Sequence, residues 1–155
     1  MSLEVDQSGK IEQTERDTIL CLSNDRWYAI RIPKKIKRTI QKMFRDSLLI
    51  KYFILITFSA ALSILIKKTK PKTKIIIDEE YQNKEILIKN IIDKIFSKEK
   101  YKPVIEFKSI GKSSNADFFA QEVGKKNLKA NLTLNLQDIL KEIKKTEVGK
   151  RLKNA

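Results

Sequence analysis

The chain has 155 residues, which is enough for one domain with a single hydrophobic core. Its 33 Lys and Arg residues outnumber 19 Asp and Glu, and the resulting formal charge of +14 predicts attraction to a polyanion. The absence of His and the presence of one Cys exclude Ser-His and Cys-His catalysis, His-ligated zinc and an internal disulfide. Because Cys21 lies in an apolar run, we expect a buried thiol and a reducing, cytoplasmic location.

The first residues are polar and acidic, unlike the basic and then apolar start of a signal peptide. We expect residues 1–16 to be a flexible N-terminal segment and residues 17–145 to form the domain. The Lys-rich residues 146–155 are expected to be a frayed basic tail.

A hairpin and a basic helix are predicted next. Strands at 18–23 and 27–32 flank a tight Asn24-Asp25 turn, which favours antiparallel pairing. Pro33 then stands where a helix begins, and its apolar side chains repeat at helical spacing. The other side of this helix is predicted to be the densest basic surface in the chain, and we expect it to bind nucleic acid phosphates through Lys34, Lys35, Lys37, Arg38 and Lys42.

Residues 48–66 are almost entirely apolar and resemble a membrane span. The uncharged part, 52–66, would form a helix of about 22 Å, shorter than the roughly 30 Å hydrocarbon core. Its residue types change from strand formers at 52–58 to helix formers after Ser59. We therefore expect a buried strand followed by a buried helix and no membrane association, and a small membrane-anchored protein is the alternative.

The second half alternates strands and helices. Strands are predicted at 74–77 and 104–107, and helices at 83–98, from Ser113 or Ser114 to Val123, and at 136–143. Such alternation requires parallel strands joined by right-handed crossovers. The predicted fold is α/β, a mixed five-stranded sheet with an antiparallel hairpin, then parallel strands, and helices on both faces.

Acidic residues occupy two strand-to-helix junctions. Asp78, Glu79 and Glu80 follow a buried strand, and Asp117 follows the turn around Lys112 at the start of a helix. Carboxylates at the ends of strands lie where α/β folds place their binding sites. Lys112 and the amides of its turn are also candidates to bind a phosphate at the helix N-terminus. The alternative is that these acids are ordinary residues of a loop or first helical turn.

Two short motifs resemble the ribonuclease H-like superfamily: Ile77-Asp78-Glu79-Glu80-Tyr81, and Asn115-Ala116-Asp117-Phe118-Phe119-Ala120. The resemblance implies a ribonuclease H-like fold, with Asp78 and Asp117 as ligands of Mg²⁺ or Mn²⁺. The family's first strand also ends in an essential Asp, and here Asn24 is the nearest match, with Asp25 one residue later as the candidate. The family takes a Glu from the helix after its third strand, but residues 59–68 contain no acid, which leaves Glu79 or Glu80 as a substitute.

We expect a nucleic-acid-associated protein that binds DNA or RNA. If it is an enzyme, we expect a metal-dependent nuclease with a degenerate carboxylate site. Cleavage of a phosphodiester by two magnesium ions needs several carboxylates to hold them. The alternative from another class is a non-catalytic scaffold or partner-binding module. Whether the chain is an enzyme stays open at this point.

Overall fold

The computed structural model describes residues 3–111 and 114–153. Its centre is a mixed sheet with the spatial order β5-β4-β1-β2-β3-β6. The strands are β1 (Leu3–Ser8), β2 (Thr18–Ser23), β3 (Trp27–Ile32), β4 (Ile75–Asp78), β5 (Ile105–Lys108) and β6 (Leu132–Thr133). β2 is antiparallel to β1 and β3, whereas β1 with β4, β4 with β5, and β3 with β6 form parallel pairs. The predicted α/β class and mixed sheet are confirmed, but six strands replace the predicted five.

Helices cover both faces of the sheet. They are α1 (Lys34–Asp46), α2 (Phe53–Thr69), α3 (Glu85–Ile95), α4 (Asn115–Gly124) and α5 (Leu136–Ile143). Alternate side chains of a strand point to opposite faces, so Leu20 and Ile30 join the larger core with α2, while Ile19 and Ala29 pack with α4. α1, α3 and α5 pack against α2, and α4 crosses β1 and β2 on the other face.

The segment predicted to be flexible contains a central strand. β1 lies between β2 and β4, where Val5 pairs with Leu22 on one side and with Ile77 on the other. Leu3 and Val5 supply apolar side chains to the larger core, which anchors the strand. The second half of β1 is polar yet buried, from Asp6 to Ser8. The expectation of a flexible segment at 1–16 is therefore corrected for the described residues.

The apolar segment forms one helix rather than a strand and a helix. A 3-10 turn at Ile50–Tyr52 leads directly into α2, whose middle residues are buried around nearly the whole circumference. In the described part of the chain, one helix, Ile50–Thr69, is long and apolar enough to cross a membrane, and 67% of its apolar window is buried inside the protein. The strand predicted at 52–58 is wrong. The sheet, α1, α3 and α5 surround this helix, so apolar residues occupy nearly all of its sides, and its sequence lacks the amphipathic pattern that indicates a helix.

The C-terminal residues are packed rather than frayed as far as Lys153. The Thr146 hydroxyl donates to the Ile143 carbonyl and accepts from the Gly149 amide. Leu152 is buried, and the Lys153 amide donates to Ser47 Oγ. The predicted frayed tail is thus corrected for residues 146–153.

Candidate metal centre

Three carboxylates meet at the carboxyl ends of β1 and β4: Asp6, Asp78 and Glu80. The pairing of Val5 with Ile77 in the parallel β1–β4 ladder sets Asp6 beside Asp78. Val5 and Ile77 both face the larger core, so the next residue on each strand turns to the face that α4 covers. The antiparallel partner of Asp6 is Cys21, which packs under α4. Strand register thus brings together residues that are 72 positions apart in the sequence.

The separation of the three carboxylate oxygens suits a divalent cation. One oxygen from each residue lies within 4.8 Å of the other two. Two ligands on opposite sides of an octahedral Mg²⁺ are about 4.2 Å apart, and Mn²⁺ accepts similar carboxylate sites. Since all three donors are carboxylate oxygens, the set favours a hard cation over zinc or copper.

The loop after β4 fixes Asp78 and Glu80. Asp78 Oδ1 accepts a 2.9 Å hydrogen bond from the Ile110 amide, which holds the carboxylate against the loop after β5. The Glu80 amide donates to the Asp78 carbonyl oxygen at 2.9 Å, and this tight turn brings the Glu80 side chain back towards the strand ends. Glu79 is exposed between them and does not join the cluster. Of the two predicted substitutes, the structure therefore places Glu80 at the site.

Asp117 lies on the helix that covers the same carboxylates. Ser114 is the N-cap of α4, where its Oγ accepts a 3.0 Å hydrogen bond from the Asp117 amide. α4 packs directly on β1, and the negative charge of Asp117 contributes to a raised pKa at Asp6. Asp78 and Asp117, predicted to act at one site, thus both act electrostatically on Asp6.

The cluster carries excess negative charge within a basic chain. Burial, and then the charges of Asp78, Asp117 and Glu80, raise the pKa of Asp6 to about 8 against the opposing effect of the Gln7 amide. Burial and the adjacent Asp78 also raise the pKa of Glu80. Lys10 reaches Glu80 only at 4.0 Å. A bound cation would relieve this repulsion, because opposite charge favours the ionised carboxylates.

The candidate Asp25 lies elsewhere. It is exposed in the turn after Ser23, and Ser23 pairs with Glu4 near the start of β1, at the end of the sheet opposite Asp78. The carboxylate cluster therefore contains Asp6, from a strand that was not predicted, and not Asp25. The signal that could have revealed it is the alternation of Leu3 and Val5 with polar residues, stopped by Gly9.

The predicted phosphate-binding residues divide into exposed and buried ones. Lys34, Lys35, Arg38 and Lys42 are exposed on α1, with Lys42 paired to Asp46 at 2.6 Å. Lys37 is fully buried, and its Nζ donates to the Lys10 and Gln13 carbonyls and to Thr18 Oγ1 at 3.1, 2.7 and 2.9 Å. The prediction that Lys37 binds a phosphate is therefore wrong, because its ammonium lies inside the protein and not on the basic face. Lys112 lies outside the described residues.

Comparisons of the chain with protein-family models, curated proteins and solved structures find no match. The interpretation of the carboxylate cluster therefore depends on its geometry and its charge.

Proposed function

We propose that this chain is a divalent-metal-dependent nuclease with a ribonuclease H-like fold. The observation that carries the proposal is the convergence of Asp6, Asp78 and Glu80 within 4.8 Å of one another in a protein of net charge +14. An oxygen-only cluster selects a hard divalent cation, and the basic surface selects a polyanionic substrate. A phosphodiester in DNA or RNA satisfies both requirements.

The order of elements supports the fold assignment. Three antiparallel strands come first, and helix-strand-helix-strand-helix units follow from α2 to α4. This order resembles the ribonuclease H-like superfamily, with Asp6 on the first strand, Asp78 ending β4 and Asp117 in the helix after β5. The chain departs from the family at the helix after the third strand, because neither α1 nor α2 contains a Glu. Glu80 supplies a third carboxylate from a different element.

The carboxylates of the site would bind the metal, and the cations of α1 would position the substrate. Asp6, Asp78 and Glu80 would hold Mg²⁺ or Mn²⁺, which would supply Lewis-acid activation of the phosphodiester and a more acidic bound water. Asp117 adds negative charge beside Asp6 and so strengthens cation binding. Lys34, Lys35 and Arg38 are exposed on α1 and would bind the phosphate backbone outside the site.

The test is cleavage of labelled single-stranded and duplex DNA and RNA in buffers that contain Mg²⁺, Mn²⁺ or a chelator. We expect cleavage only with a divalent ion, and its loss in Asp6→Asn and Asp78→Asn. The matched control is Asp93→Asn, which removes an exposed carboxylate from α3 and should leave cleavage unchanged. No metal-dependent cleavage by the wild type, or full cleavage by Asp78→Asn, would overturn the proposal and favour a non-catalytic role.

A further inference from the structure

Three aromatic side chains form a partly exposed cluster on the face of the sheet that α4 covers, and we call Trp27, Phe118 and Phe119 the aromatic cluster. Trp27 stacks on Phe119 with ring centroids 5.1 Å apart and an angle of 13° between the ring planes. Phe118 contacts Phe119 edge-to-face at 5.2 Å and is 54% exposed. More than half of this large apolar ring is open to solvent and is available for stacking against a ligand.

The path of α4 across the sheet connects the aromatic cluster to the carboxylates. Asp117 acts on Asp6 of β1, whereas Phe119 stacks on Trp27 of β3, and β2 lies between these strands. Asp117 and Phe119 are therefore on opposite flanks of α4. Phe118, between them in sequence, points away from the buried face formed by Ala116 and Ala120.

A basic groove continues from the aromatic cluster. It has a volume of about 520 Å³, and Trp27 and Tyr28 line it together with Arg26, Lys68, Lys70 and Lys72. None of the described lining residues is acidic, and the four cations are exposed. Lys70 adopts a left-handed conformation with φ 42° at the end of α2, which turns the chain so that lysines on both sides of it border the groove. Trp27 belongs to both features and makes them continuous.

We propose that the aromatic cluster and the basic groove form a binding path for single-stranded nucleic acid that leads away from the metal centre. Unpaired bases stack on Phe118 and Trp27, and the phosphates that follow bind the cations of the groove. Aromatic platforms beside a positively charged groove are the physical requirement for binding a single strand without base-specific contacts. Paired bases inside a duplex have no free face for such stacking. The proposal deepens the proposed function, because it names a substrate with an unpaired segment.

The first test uses the chain's only tryptophan as a reporter. Quenching of Trp27 fluorescence is measured on titration with a thymidine oligonucleotide and with a duplex of equal length, in chelator so that nothing is cleaved. Phe118→Ala is expected to weaken single-strand binding by about 5- to 150-fold and to leave duplex binding unchanged. Ile86→Ala is the matched control, since Ile86 is a 76% exposed apolar residue on α3, and it should change neither affinity.

The second test removes charge from the groove. The variant Lys68→Gln/Lys72→Gln is compared with the control Lys89→Gln/Lys100→Gln. Both variants lose two positive charges, but the control loses them from exposed lysines that lie outside the groove. Only the groove variant should lose single-strand affinity, and its log-log salt slope should fall by about 0.7 for each phosphate that the groove no longer neutralises. A poly-glutamate competitor of equal charge should displace the oligonucleotide only weakly, since it cannot stack.

The outcomes separate this proposal from the nuclease activity. Cleavage with unchanged single-strand affinity in Phe118→Ala would overturn the binding path and leave the nuclease intact. Selective loss of single-strand binding in both variants without any cleavage would support the path and overturn the nuclease. Equal loss in the two lysine variants, or full displacement by poly-glutamate, would show that the groove is a general polyanion surface and overturn the path.

Discussion

Replacement of Lys37 by Met would test whether this lysine belongs to the fold rather than to the basic face. Its ammonium is inaccessible to solvent and donates to Lys10, Gln13 and Thr18. Met keeps most of the packing volume but leaves those three oxygens without a donor, at a cost of roughly 1–3 kcal/mol each. Relief from burying the charge offsets at most about 3 kcal/mol, because burial lowers the pKa of Lys37 from 10.5 to about 8.

We therefore expect Lys37→Met to lower the free energy of unfolding by about 3 kcal/mol at pH 7. The difference from the wild type should grow with pH. Between about pH 8 and 10.5 the unfolded wild type binds more protons at this lysine than the folded one does. Wild-type stability therefore rises relative to the variant by at most about 1.4 kcal/mol per pH unit.

The assay is urea denaturation of both proteins from pH 7 to pH 10.5. Their difference cancels the titration of Tyr81 and Cys21, whose pKa values burial raises. Hydrogen bonds from the Lys34 amide and from Arg31 hold the pKa of the neighbouring Asp17 below its usual range despite burial, so Asp17 adds nothing to the slope. Equal stability at pH 7 would refute the hydrogen-bonding argument. If the difference in unfolding free energy between the two proteins narrows above pH 9, the three oxygens raise the pKa of Lys37, and the argument that burial lowers it is refuted.

Three further predictions concern the metal, the C-terminal turn and the core. Mn²⁺ at about 100 times its dissociation constant should stabilise the wild type by about 2.7 kcal/mol, and a melting temperature that rises equally in Asp78→Asn would contradict the site. Gly149→Ala should lower the free energy of unfolding by at least about 2 kcal/mol in urea denaturation, because the added Cβ would overlap the Ile143 carbonyl oxygen. A variant as stable as the wild type would mean that residues 146–153 are loosely held. Leu62→Ala in α2 should cost about 2–5 kcal/mol in the same assay, whereas Leu48→Ala, at an 89% exposed position, should cost almost nothing, and equal losses would contradict the burial of α2.

Elements with one buried face were predictable from the sequence. The hairpin of β2 and β3, the short strands β4 and β5, and the helices from α3 to α5 all showed alternating or helical apolar spacing. α1 was also predicted, but Lys37 was assigned to its exposed side. A lysine in the middle of a basic helix gives no local indication that its ammonium reaches three oxygens of a distant loop and strand.

Two central elements were not predictable in this way. The second half of β1 consists of the buried polar residues Asp6, Gln7 and Ser8, so its sequence has the composition of an exposed chain terminus. α2 is rich in aromatic and β-branched residues and is buried on nearly all sides, so its tertiary surroundings override strand propensity. The candidate site was predicted in part: Asp78, Asp117 and the Glu80 alternative come from short motifs, but Asp6 required the strand that was missed.

The position of β1 between β2 and β4 has a consequence for the order of folding. Its contact with β2 closes a short loop, because Val5 pairs with Leu22, whereas its contact with β4 joins Val5 to Ile77. Loop-closure entropy grows with the number of intervening residues and delays non-local pairing. The three antiparallel strands are therefore expected to assemble early, and the docking of β4 should be the slow kinetic step. The three carboxylates of the candidate metal centre would then come together last, when β4 pairs with β1.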